Sequence, residues 1–200
     1  MRTVDPVKQA AKRRRILEAA ASCFAEMRFQ GTRTADICKR AGMSPGNLFH
    51  YFPSKHAIIV ALIESEGVQT AAYLERLVAE EDAIGALFTL IDAVVEPAAD
   101  PEYAGLALDT AAAAQRDEGI AAVVARNDRR LRAGIADLLR RAAAAGRIDA
   151  GPAADGAATR IAARIDGIFA RPATDPNFAP REQAPMLRLL LTRFPRVEQP

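Results

Sequence analysis

The 200-residue chain is poor in sulfur and aromatic residues and contains no tryptophan. Its two cysteines, Cys23 and Cys38, form no CxxC pair and have no histidine beside them, which argues against a disulfide framework or a structural zinc site. The only two histidines, His50 and His56, lie close together, so the rest of the chain holds neither a histidine triad nor a histidine metal cluster. Phosphate loops of the GxxxxGK type and GxGxxG turns are both missing. No cofactor and no metal are therefore expected, and enzyme chemistry is the most distant reading. No run of 18 apolar residues occurs, and the start Met1-Arg2-Thr3-Val4-Asp5-Pro6 has no apolar core of a signal-peptide kind. The expectation is a cytoplasmic protein with no membrane partner.

What the chain has in quantity is alanine. Its 44 alanines are a large part of an apolar content of 50 %, and alanine combines the highest helix propensity with little preference for strands. The expected fold class is all-α. Apolar spacing and punctuation by glycine and proline predict helices over about 7–27, 34–42, 45–52, 55–78, 81–95, 102–115, 117–145, 153–171 and 181–194. Gly31 is expected to close the first, and Thr34 to cap the second with Asp36 in its first turn. Ser44-Pro45 places a capping hydroxyl before a proline at the first helical position, so a new helix starts there.

The net charge of +2 conceals an asymmetry. Residues 1–55 hold eleven Lys/Arg against four acidic residues, a net +7, and the remaining 145 residues carry −5. A basic head on an acidic body points to a polyanionic partner for the head. Within it, Thr34 to Phe52 has the spacing of a helix-turn-helix. Gly42 supplies the positive φ of the turn, Cys38 is the small residue at the crossing, and Ile37, Ala41, Met43, Leu48 and Tyr51 face one another.

These residues resemble a known signature. Gly31-Thr32-Arg33-Thr34-Ala35-Asp36-Ile37, then Ala41-Gly42-Met43-Ser44-Pro45-Gly46-Asn47-Leu48-Phe49-His50-Tyr51-Phe52 and Lys55, are similar to the DNA-binding segment of the tetracycline-repressor (TetR) family. The likeness covers residues 12–60, and body length and helix pattern are similar to the family's betaine-regulator-type members. One departure is Phe49, where the family more often has a tyrosine and its hydroxyl contact. The resemblance implies a three-helix helix-turn-helix head, residues 1–55, joined to a helical ligand-binding and dimerisation body, residues 56–200.

A helix of barely two turns entering the major groove presents its first residues and one face to base edges. Pro45, Gly46, Asn47 and His50 form that set: Asn47 suits adenine, Pro45 a thymine methyl, and Gly46 permits close backbone approach. Thr32, Thr34, Ser44, Tyr51 and Lys55 are placed for phosphates, with Lys12 to Arg15 reaching neighbouring ones. The expected partners are a palindromic double-stranded DNA operator, a second copy of the chain and a small-molecule effector. The apolar final helix (Met186, Leu187, Leu189, Leu190, Leu191, Phe194) needs burial on more than one side and points to a homodimer. The preceding helix is expected to join it through Ile161, Ile165, Ile168 and Phe169 and the small surfaces of Ala154, Ala157, Ala158 and Ala162. For the effector, Phe88, Tyr103 and Phe169 supply apolar walls and Asp92, Asp109 and Asp166 interrupt apolar runs, which favours a neutral or cationic ligand over an anionic one. A repressor released by its ligand is the reading that joins these features. A DNA-binding or architectural protein with the same head and no ligand response is the alternative.

Overall fold

The computed structural model describes residues 6–148 and 153–192. Among them every regular element is helical: α1 (Pro6–Gly31), α2 (Thr34–Ala41), α3 (Pro45–Tyr51), α4 (Lys55–Ala79), α5 (Ala83–Ala98), α6 (Pro101–Ala114), α7 (Glu118–Ala144), α8 (Ala154–Ala170) and α9 (Ala184–Thr192). Short 3₁₀ turns at Arg171–Ala173 and Pro180–Gln183 join the last two. The all-α expectation and the order of the helices hold, and the differences lie at the ends. Within α1 the backbone leaves helical geometry at Arg28 (φ 63°, ψ 169°), three residues before Gly31. The N-cap of α2 is Arg33, one residue earlier than expected, because the Asp36 carboxylate accepts the Arg33 N–H at 2.9 Å. Pro97 lies inside α5, which runs on to Ala98. Phe194 falls outside the described residues.

Two compact units divide the chain, and neither is contiguous: residues up to Glu66 with Gly105–Val123, and Gly67–Ala104 with the residues from Val124 on. In the first unit Ile16, Ala20, Phe24, Ile37, Leu48, Phe52 and Ile58 are buried. Cys23 and Cys38 are buried free thiols whose pKa values burial pushes up, in line with packing roles. Gly42 turns α2 into α3 at φ 62° and ψ 45°, the left-handed geometry that glycine adopts without penalty. A bidentate pair at 2.7 Å, Arg40 with Glu26, ties α2 to α1 and holds the Glu26 carboxyl below its ordinary range. At the start of α7, Asp117 accepts the Ile120 N–H at 2.9 Å and pairs with His56 Nε2 on α4 at 2.9 Å. These bonds, the first more than the second, lower the Asp117 pKa.

The second unit packs α5, the latter part of α7 and α8 around Leu87, Ile135, Leu138, Leu139, Ala142 and Ala158. α4 alone, among the described residues, is long and apolar enough to cross a membrane, and its Ile58, Ile59, Leu62, Ile63, Leu74 and Leu77 are buried within the chain.

Candidate nucleic-acid interface

Helix α3 is anchored by one side chain and displays the rest. Ser44, in extended geometry, accepts the Asn47 N–H on its Oγ at 3.3 Å, and Pro45 takes the first helical position, as the sequence predicts. Leu48 is fully buried. Pro45, Gly46, Phe49 and His50 are exposed, and Asn47 and Tyr51 are half-buried. A Cβ placed on Gly46 would meet no atom within 4 Å, so nothing in the fold requires glycine there. The ring of His50 stands edge-on to that of Tyr51, with centroids 5.1 Å apart. At the far end, Arg13 of α1 donates to the Tyr51 carbonyl at 3.0 Å and lies over the Phe52 ring at 4.4 Å. Arg13, expected to reach for phosphates, instead fastens α1 to α3 through a last-turn carbonyl and a cation–π contact.

Two further phosphate-facing expectations need correction. Thr32 is 1 % exposed, and its hydroxyl donates to the carbonyls of Cys23 at 3.0 Å and Arg28 at 2.8 Å. It is a core residue satisfying the broken end of α1. Lys55 Nζ donates to the carbonyls of Phe29 at 2.8 Å and Thr32 at 3.0 Å, so its cation caps the same segment. Ser44 and Tyr51 remain at the surface, and Thr34 is half-exposed.

The segment after Arg28 is held from both sides. Asp109 on α6 accepts the Phe29 N–H at 3.0 Å, while Lys55 on α4 takes the Phe29 carbonyl. Arg28 itself occupies backbone space that is essentially the preserve of glycine. Its guanidinium donates to the Ala25 carbonyl at 3.1 Å and covers Gly105, where a side chain would collide with it. Asp109, expected in an effector site, is thus engaged with the main chain of the head.

Comparison with known proteins decides the assignment. Residues 16–62 match the model for bacterial regulatory proteins of the tetR family. Residues 83–194, more than half of the chain, match the C-terminal region of BetI-type transcriptional repressors. The chain belongs to the TetR family. The HTH-type transcriptional repressor Rv1474c of Mycobacterium tuberculosis is 30 % identical over 183 residues, 90 % of this chain and 91 % of that protein. The transcriptional regulator RutR of Escherichia coli K12 is 44 % identical over 54 residues, which span 27 % of this chain and only 26 % of RutR. Among solved structures, Salmonella enterica GusR superposes with a TM-score of 0.74 at 30 % identity, covering 91 % of this chain and 94 % of GusR. FadR of Bacillus subtilis, solved with stearoyl-CoA, shares the fold at 20 % identity, with a TM-score of 0.75 over 89 % of this chain and 96 % of FadR. As a TetR-family member the protein is a DNA-binding transcriptional regulator.

For this TetR-family chain the body residues fall apart into separate environments. Asp92 is exposed and pairs with Arg188 of α9 at 2.5 Å, because α9 packs beside α5; that Arg188 also stands 5.5 Å over the Phe88 ring. Asp166 is exposed, and partial desolvation and the nearby Asp128 raise its pKa. Asp92 and Asp166 thus have separate surroundings, and Asp109 is taken by the Phe29 N–H. Tyr103 and Phe169 do meet, with ring centroids 6.0 Å apart, and Phe88 and Phe169 border the same core. A half-buried carboxyl that the sequence reading passed over is Glu66 of α4, whose pKa desolvation raises. The signal was its register: Ile59, Leu62, Ile63 and Glu66 share one helix face.

The interface expected on α8 also needs correction. Ala154, Ala157, Ala158 and Ala162 are buried, the first three of them and Ile168 within this chain's own core. That small-residue face is spent internally. On α9, Met186, Leu189 and Leu190 are exposed.

Proposed function

We propose that the protein is a repressor that occupies a palindromic operator as a homodimer and leaves it when a small molecule binds the body. The observation that carries this reading is α3: a capped helix anchored by Leu48, with Pro45, Gly46 and His50 exposed and Asn47 half-exposed, in a segment of net charge +7. On this reading residues 1–55 bind DNA and residues 56–200 bind the effector and the second copy. Asn47, His50, Pro45 and Gly46 read bases, while Ser44, Tyr51 and Thr34 meet phosphates. The exposed apolar side chains of α9 support pairing with a second copy, and the stearoyl-CoA complex of the FadR neighbour supports a small-molecule effector. Tyr103, Phe169 and Phe88 are the walls we assign to it. The protein works in the cytoplasm without a catalytic role.

The test is selection from random-sequence duplexes followed by footprinting at several salt concentrations. One palindromic site, with log affinity falling against log salt at a slope of roughly −5 for about six neutralised phosphates, is expected. Sequence-indifferent coating of DNA would replace the repressor with the architectural reading. Thermal-shift screening of metabolites, with release from the selected site as the second readout, then identifies the effector.

A further inference from the structure

Helix α3 carries a ring that the fold covers only in part. Leu48 alone of its apolar side chains is fully buried, whereas Phe49 is 45 % exposed. Pro45 precedes Phe49 by four residues, so the two stand on one face of the helix, and both are open to water. Beside them Gly46 leaves a space that no atom of the chain enters. The result is an apolar edge on a helix otherwise dressed with Ser44, Asn47, His50 and Tyr51, in a strongly basic segment.

The part of a large ring left in water gains nothing until a partner covers it. The basic surroundings favour a polyanion as that partner, and the floor of a DNA major groove offers one apolar feature, the C5-methyl group of thymine. A phenyl ring has no donor or acceptor for a phosphate, so Phe49 cannot replace the hydroxyl contact that a tyrosine would give. Its chemistry is suited to the methyl.

We propose that Phe49, together with Pro45, forms an apolar reading edge that selects thymine in each operator half-site, making Phe49 a specificity-determining residue alongside Asn47. This rests on the operator-binding reading above. Because the contact displaces no counterion, it contributes to affinity without contributing to salt dependence.

The experiment uses the full-length protein and a duplex selected from random sequence. Thymines in the selected site are replaced one at a time by deoxyuridine, which removes only the methyl group. At one symmetric position the wild type is expected to lose affinity about fourfold per half-site, the equivalent of one buried methyl, and about fifteenfold when both half-sites are changed. Phe49→Ala should bind the thymine and deoxyuridine duplexes equally, with a salt slope and unfolding temperature like those of the wild type. Phe49→Tyr, which keeps the ring, should keep the thymine preference. A wild type that selects one site but is indifferent to deoxyuridine throughout overturns the Phe49 assignment and leaves the operator reading standing. A Phe49→Ala protein that weakens both duplexes alike places the ring on the sugar-phosphate backbone and also overturns it. A wild type that selects no sequence at all removes both.

Discussion

Removing the Asp109 carboxylate should loosen the head through a residue 80 positions away. Asp109 accepts the N–H of Phe29 at 3.0 Å, directly after the backbone break at Arg28. A hydrogen bond to a charged group in a partly buried site contributes about 1.5–3 kcal/mol, and a non-glycine residue in the conformation of Arg28 costs about 1–3 kcal/mol. Asp109→Ala forfeits the bond and lets part of that strain relax, for a net loss of about 2 kcal/mol. In a chain of this size each kcal/mol moves the unfolding temperature by about 2–4 °C, so a drop of about 4–8 °C is expected by calorimetry. Asp109→Asn keeps an acceptor without its charge and should lose about half as much. Exchange of the Phe29 amide with deuterium should accelerate about tenfold or more in Asp109→Ala, because about 1.4 kcal/mol is a factor of ten. The Arg28 conformation adds a second handle. Arg28→Gly should stabilise the wild type by about 1 kcal/mol, and should stabilise Asp109→Ala less, because there the segment has already relaxed. An Asp109→Ala protein that melts within about 1 °C of the wild type, with its Phe29 amide still protected, would refute the reasoning.

Lys55→Ala removes the cation from the Phe29 and Thr32 carbonyls and should cost about 1.5–3 kcal/mol in chemical denaturation; a DNA-binding defect without any loss of stability would show that the ammonium serves phosphates instead. Asn47→Ala should cost about 1–3 kcal/mol of operator affinity and relax one base position, whereas equal losses on operator and random DNA would deny it a base-reading role. Glu66 is half-buried, and desolvation raises its pKa, so ionising it costs stability above its folded pKa, and that cost fades as pH falls through the folded value towards the ordinary carboxylate range. Glu66→Gln should therefore raise the unfolding temperature at pH 7 and change little near pH 4; a gain that does not depend on pH would contradict the burial argument. Met186→Asp with Leu190→Asp places charges on the exposed face of α9 and should turn a micromolar dimer into monomers in sedimentation, where an unchanged dimer would move the interface elsewhere.

The parts of this protein that were legible in its sequence are those whose partners are near in the chain. Gly42 answers to the backbone of its own turn, and Ser44 caps the N–H of Asn47 three residues on. The helix order followed from periodicity for the same reason. What escaped was settled by packing and bonding that local pattern does not display. Thr32 and Lys55 read as surface phosphate ligands until Cys23, Phe29 and the broken end of α1 claimed them. Gly31 looked like the terminator of α1, but the break falls at Arg28, a residue that propensity would never place in that conformation. Asp92 and Asp109 interrupt apolar runs, yet Arg188 lies 96 residues from the first and Phe29 lies 80 from the second. Glu66 is the converse case: it sits in the apolar register of Ile59, Leu62 and Ile63 on α4, and only the packing around that face shows what its charge costs there.

The empty space beside Gly46 sets two selective pressures against each other. Because a Cβ there touches nothing in the protein, alanine would fit and would improve the helix by about 0.5–1 kcal/mol. A campaign that ranks variants by melting temperature would therefore enrich Gly46→Ala, and the added methyl would project from the face that we propose approaches the bases. Thermostabilised descendants of this repressor obtained without a DNA-binding counter-screen should accumulate that change and fall silent at the operator.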